Sequence, residues 1–189
     1  MLQKIVLGFI IAVYIAIRYV WWKTDNRSLK VHLNWILKPI NLITGIIYAA
    51  ATFLAIILFF KDYYLFTSLE IMVSIFGLIL LIGGAAFACW ARLYMGQYWA
   101  PANDGHHIAE QSKLHTGGPF KYSRNPIYVG LFIAGVGFFV AVNSYLIITM
   151  YLIYWYFNKS IIEEETLLKK HFGESYTSYM KKVPRYLYR

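Results

Sequence analysis

The feature that most constrains this chain is a succession of apolar stretches about as long as a bilayer is thick. A membrane-crossing helix needs about 20 predominantly apolar residues, because in lipid every backbone polar group must be paired within the segment itself. Leu2 to Trp22 meets that requirement, with Lys4 and Arg18 near its ends. A second run extends from Ile36 to Phe60, and a third from about Leu65 to Tyr94, long enough to tilt or project. A fourth runs from Pro126 to about Val142 and a fifth from Ser144 to about Ile162, so only a tight hairpin at Asn143-Ser144 can join them. The first run follows a basic residue, as in a signal peptide, yet no small-residue cleavage site follows it, and it reads as a retained helix. Composition agrees: 14% of residues are charged, against about 25% in an ordinary soluble domain. The expected fold is therefore all-α, a polytopic membrane protein of about five transmembrane helices forming one domain over residues 1–189, with short cytosolic helices at the C-terminal end.

The basic residues test the number of crossings. With five, alternate connections lie on opposite sides. Sixteen of the eighteen Lys and Arg then fall on one face and only Lys4 and Lys61 on the other. The positive-inside rule puts the N-terminus outside and the C-terminus in the cytosol. This distribution accounts for most of the net charge of +9, and no nucleic-acid partner is needed to explain it. The single cysteine, Cys89, permits no intrachain disulfide and reads as a small buried hydrophobe. Gly83-Gly84-Ala85-Ala86 in the third run reads as a close helix contact.

Polar residues gather in two places, Gly96–Asn125 and Asn158–Arg189, both on the cytosolic side. The outer hairpin forces the inner ends of the last two helices together, so these regions must meet. The first ends in Gly117-Gly118-Pro119-Phe120, then Arg124-Asn125-Pro126-Ile127-Tyr128-Val129-Gly130. Asn before Pro is a helix start, read here as an N-cap followed by N1. The bland reading stops at a well-capped helix; the functional one adds that a helix N-terminus attracts a carboxylate. Gly130 reads as a place where a ligand could press on the backbone. The second region opens with Glu163-Glu164-Glu165. Successive helical residues point about 100° apart, so at most one or two of them face a site. Phe172, Tyr176 and Tyr179 follow at helical spacing, as in a helix lying back on the membrane surface.

Taken in order, these motifs resemble the isoprenylcysteine carboxyl methyltransferase family and its relatives, the phospholipid methyltransferases. The residues carrying the resemblance are Gly118-Pro119-Phe120, Arg124-Asn125-Pro126-Ile127-Tyr128-Val129-Gly130, Glu163-Glu164-Glu165, Phe172-Gly173-Glu174-Ser175-Tyr176 and Val183-Pro184, within about 90–185. The resemblance implies S-adenosylmethionine as methyl donor, becoming S-adenosylhomocysteine, held by Ser112, Lys113, Leu114, His115, Phe120, Asn125, Pro126, Ile127, Tyr128 and Glu164. Arg124, Tyr128 and Glu164 are the expected catalytic residues. The implied acceptor is the carboxylate of an isoprenylcysteine or a related lipophilic carboxylate, arriving from the bilayer; a phospholipid headgroup amine is the alternative. The implied location is a prokaryotic cell membrane, with the site facing the cytosol and membrane lipids as surroundings. No obligate protein partner is expected.

Two departures from the family pattern bear on the acceptor. Asn125 stands where the family more often has His, and an amide cannot shuttle a proton near neutral pH. Lys159-Ser160-Ile161-Ile162 precedes the glutamates where prenylcysteine enzymes usually carry Arg. Lys159 or Arg185 is the available substitute. Rival classes fare worse. His106, His107, His115 and His171 match no histidine-box spacing, so no metal is expected. A transporter would carry mid-membrane ionisable residues, and Glu70 is the sole candidate, close to an interface.

Overall fold

A computed structural model describes residues 2–24, 33, 36–61, 65, 69–96 and 113–188. Ser112, His106 and His107 lie outside the described residues. The described elements are α1 (Leu2–Thr24), α2 (Pro39–Phe60), α3 (Glu70–Met95), a 3-10 turn (Gly118–Lys121), α4 (Pro126–Ala141), a second 3-10 turn (Tyr145–Thr149), α5 (Met150–Phe172) and α6 (Glu174–Lys182). Among the described residues there is no strand.

Among the described residues, three helices are long and apolar enough to cross a bilayer: Gln3–Thr24, Pro39–Phe60 and Glu70–Met95. They leave large apolar side chains such as Phe53, Met72 and Ile79 on the outside, which water would not tolerate in such number and which lipid solvates. The chain is a membrane protein. Helix α4 is apolar but has only 16 residues. Helix α5 is apolar only in its first part and continues past Ile162 to Phe172.

The centre of the fold is the antiparallel pair α3–α4, and small residues make it. A Cβ added to Gly84 would stand 2.5 Å from the backbone nitrogen of Ala134, and one added to Gly130 would stand 2.5 Å from that of Ala88. Gly77 and Gly137 meet the facing backbone in the same way, while Gly83 has open space around it. In lipid, such close approach replaces the hydrophobic effect as the source of helix association. Gly130 therefore serves the α3 contact; the expectation that it clears room for a ligand is corrected.

Several bonds fix which helix ends lie together. Arg92, fully buried near the end of α3, donates to the carbonyls of Gly96 and Thr24, both at 3.0 Å, and lies 5.9 Å from the Trp21 ring. This ties the end of α1 to the end of α3. At the opposite end, Gln3 donates to Phe59 O and Leu65 N donates to Asn143 O. There the chain turns sharply: Asn143 has φ 49°, and the Ser144 hydroxyl accepts from Leu146 N. Asparagine is among the few non-glycine residues that adopt this left-handed conformation readily. The start of α4 and the polar part of α5 are thereby placed at the end that also holds Thr24 and Met95.

Candidate functional site

The site is built on the turn preceding α4. Gly118 has φ 52°, and the Tyr94 ring packs so closely that any side chain at Gly118 would strike it. The 3-10 turn that follows is closed by Phe120 N donating to Gly117 O. Ser123 then donates from Oγ to Arg185 O at 2.9 Å and accepts from Asn125 N at 3.0 Å. Asn125 occupies the N-cap position with Pro126 directly behind it, but its side chain caps nothing. Its amide donates instead to Glu165 Oε1 at 3.1 Å and Arg185 O at 3.3 Å. The expected capping role is corrected: the amide is turned so that its NH2 group donates to a buried carboxylate, and its oxygen accepts no first-turn N–H.

That carboxylate, Glu165, is 5% exposed. Arg124 approaches its Oε1 with Nε and Nη2, both at 3.0 Å, and Arg185 approaches Oε2 with Nε at 3.1 Å and Nη2 at 2.7 Å. Arg124 Nη1 donates to the carbonyls of Met180 and Val183, and Arg124 N to Pro184 O. Burial alone would raise the Glu165 carboxyl. The Arg185 hydrogen bond, the Arg124 charge and the Asn125 amide outweigh it and hold the group below the usual carboxylate range. Every guanidinium nitrogen of Arg124 is engaged, and these bonds hold the C-terminal segment against α4.

Helix α6 turns back after Gly173, at φ 54°. Tyr176 and Tyr179 are buried against Phe120 and Val183, with Leu114 and Met95 packed alongside, and Tyr179 donates to Phe120 O at 2.7 Å. The apolar side of this helix thus packs on the protein itself, where the spacing alone pointed to the membrane surface. Burial pushes both phenols up. His115 lies beside Tyr94 and Phe120, and burial, then the Lys113 charge, lowers its imidazole. Lys113 itself is exposed.

Phe120, Arg124, Asn125, Pro126, Ile127, Tyr128 and Glu164 surround one small cavity of about 20 Å³, together with Met95. Lys113, Leu114 and His115 do not line it. Glu164 is pushed up to about 7, first by burial and further by the Glu165 charge; a hydrogen bond from Tyr128 opposes this. The Tyr128 ring meets Phe157 edge to face at 5.3 Å. Tyr128 also lines the adjoining groove between α4 and α5, about 250 Å³, walled by Phe132, Tyr154, Phe157 and Ile161 and by Tyr186–Tyr188 of the C-terminal segment. Sequence reasoning missed Met95, the Glu165–Arg185 pairing and the tail's share of this groove. The spacing of Asn158, Ile161 and Glu165 does mark one helix face, although not what it meets. Among the described residues no three His, Cys, Asp or Glu come together as a metal site would require.

A family profile described as Phospholipid methyltransferase matches residues 72–175, which include α4, α5 and all of the cavity-lining residues. The chain belongs to the phospholipid methyltransferase family. Among proteins similar to it are three bearing related names. The Protein-S-isoprenylcysteine O-methyltransferase of Xenopus laevis is 35% identical over 118 residues, 59% of this chain and 39% of that protein. Its namesake in Schizosaccharomyces pombe is 38% identical over 73 residues, 38% of this chain and 31% of that protein. A Probable protein-S-isoprenylcysteine O-methyltransferase of Oryza sativa subsp. indica is 33% identical over 113 residues, 59% of each. The matched stretches thus span about a third to three fifths of these relatives' lengths. In this phospholipid methyltransferase family member the clamp carbonyls of Met180–Arg185 lie beyond the profile match, while the glutamates they neighbour lie within it.

Proposed function

We propose that this protein is an S-adenosylmethionine-dependent methyltransferase acting on a lipophilic acceptor, the C-terminal carboxylate of an isoprenylcysteine or a related lipid carboxylate. The observation that carries this reading is the position of Tyr128. It hydrogen-bonds Glu164 in a polar cavity at the start of α4 and also lines an apolar groove between α4 and α5. A water-soluble donor and a lipid-borne acceptor need such adjacent compartments. The names of the relatives supply the acceptor class.

The residues present fit one end of the proposed donor. Helix α4 has no side-chain cap, and first-turn N–H groups, with the helix dipole, suit a carboxylate. Glu164 beside them suits an ammonium. The cavity, at about 20 Å³, is about the size of one water, so the described residues supply polar groups for the amino-acid end and no space for a nucleoside. When bound, S-adenosylmethionine would supply a sulfonium-activated methyl; the acceptor oxygen gains the O–CH3 bond as the S–CH3 bond breaks and its electron pair stays on sulfur. What the protein contributes is alignment of two reactants. Glu164 and Tyr128 hold the donor, and the Arg124–Glu165–Arg185 cluster holds the walls in place. The reading includes five crossings with the site facing the cytosol.

A second reading has a specific observation in its favour. A carboxyl titrating at about 7 is suited to take a proton from an amine, and N-methylation of a lipid headgroup would need such a base. Purified protein given methyl-labelled S-adenosylmethionine with N-acetyl-S-farnesylcysteine or with phosphatidylethanolamine vesicles separates the two. The first reading predicts label released as methanol by mild base, from the cysteine derivative only. Base-stable label in the phospholipid would replace it with the second, and label in neither product would contradict both.

A further inference from the structure

The groove between α4 and α5 is mostly apolar and aromatic, and its lining includes one amide, Asn158. Asn158, on α5, accepts at Oδ1 a hydrogen bond of 2.7 Å from the Tyr186 hydroxyl, and both residues line the groove. The Tyr186 ring is steadied by Tyr154, 6.3 Å away. Burial pushes its phenol up to about 12, so it stays a donor at neutral pH. Oδ1 is therefore occupied, and the two amide hydrogens of Asn158 are the donors left for whatever enters. A polar amide in an apolar lipid-facing groove costs free energy unless something hydrogen-bonds to it.

Arg124 and Arg185 share the carboxylate of Glu165 about two helical turns from Asn158 along α5. Asn158 stands six residues from Glu164, about 9 Å along the helix axis. A group held at Asn158 would thus lie a short distance from a donor whose ammonium rests on Glu164, with Tyr128 between them.

We propose that Asn158, oriented by Tyr186, binds the carboxylate of the methyl acceptor through its amide hydrogens while the acceptor's hydrocarbon chain lies along Phe132 and Tyr154. This rests on the methyltransferase reading and names the acceptor's binding residue within it. The C-terminal segment thereby becomes part of the acceptor site, and its clamp on Ser123–Asn125 is what keeps Tyr186 in place.

The test is Asn158→Asp beside Tyr186→Phe, with N-acetyl-S-farnesylcysteine as acceptor. Aspartate still accepts the Tyr186 hydroxyl but replaces the donors with a negative charge. Its KM for the acceptor should rise at least about tenfold, the order expected for losing a charge-assisted bond. Tyr186→Phe only frees the amide to turn and should raise KM about threefold, as for one neutral hydrogen bond. In both variants the Kd for S-adenosylmethionine should stay within about twofold of wild type, since neither residue lines the donor cavity. Unchanged acceptor KM in Asn158→Asp, or donor affinity falling in step with it, would overturn the assignment while leaving the enzyme reading intact. Failure of the wild-type protein to methylate any prenylcysteine would remove that reading and this inference together.

Discussion

The α3–α4 seam and the junction of α4 with the C-terminal segment are both tightly closed, by opposite means. The seam is closed by absence: Gly84 and Gly130 let two backbones touch, and no charge takes part. The junction is closed by charge: one buried carboxylate is shared by two guanidiniums, and four carbonyls of the tail accept bonds from Ser123–Asn125. The contrast shows where this protein can afford chemistry. Small residues give rigidity without any reactive group. Ionic contacts give rigidity too, but they also set the protonation of their neighbours. Glu164 and Glu165 are adjacent in sequence and shifted in opposite directions.

Breaking the seam should have the largest effect. Gly84→Leu would drive a side chain into backbone that cannot yield, and overpacking of this kind costs upward of about 3 kcal/mol. Loss of the monodisperse protein on size-exclusion in detergent is expected, while Gly83→Leu, facing open space, should behave as wild type. Equal behaviour of the two would mean that the seam is not where the helices meet.

Breaking the junction comes next. Glu165→Ala leaves Arg124 buried without a counter-charge, a loss of about 3–5 kcal/mol, read as a lower midpoint of thermal unfolding in the same detergent. The pH dependence sharpens the point. Because Glu165 is held low when folded, its contribution is present above the ordinary carboxylate range and disappears as pH falls through its folded value. Wild type should approach the variant's stability in acid.

Glu164→Gln should act the other way and by less. A carboxyl raised to about 7 in the fold favours folding while protonated, and that contribution is lost as pH rises from the ordinary carboxylate range through 7. The glutamine variant should therefore unfold at a higher temperature than wild type at pH 8 and at the same temperature at pH 4. Its binding of S-adenosylmethionine should be weaker, a trade of function against stability common at binding sites. Tyr128→Phe should give the smallest change. Without the hydrogen bond that lowers Glu164, the pH below which donor binding weakens should move upward by a fraction of a unit, measured by titration calorimetry.

Much of this arrangement is legible in the sequence, and the parts that are not have a common cause. Apolar runs give the first four helices closely, with Pro126–Ala141 against an expected end near Val142, because lipid imposes length and polarity on a span; the last runs from Met150 to Phe172 against an expected Ser144 to about Ile162, because its polar end lies outside that constraint. Bringing Phe120, Arg124–Tyr128 and Glu164 together follows from the short turn at Asn143-Ser144. The division of labour between Glu164 and Glu165 does not follow, since neighbours on a helix differ by about 100° and only the packed structure says which way each points. Gly130 fails for the same reason: a glycine looks alike in sequence whether a ligand or a helix approaches it. Asn125 reads as a cap because the Asn-Pro pair is a local signal, and the carboxylate that draws its amide away lies forty residues further on.

Glu164 is proposed to hold the methyl donor. The most direct measurement is titration calorimetry of S-adenosylmethionine into the detergent-purified protein at pH 6, 7 and 8, for wild type and Glu164→Gln. Saturable wild-type binding should weaken about tenfold from pH 8 to pH 6, as the carboxyl gains its proton and loses its hold on the ammonium, and the variant should bind more weakly without that pH dependence. Equal affinities in the two proteins, or wild-type binding indifferent to pH across this range, would contradict it.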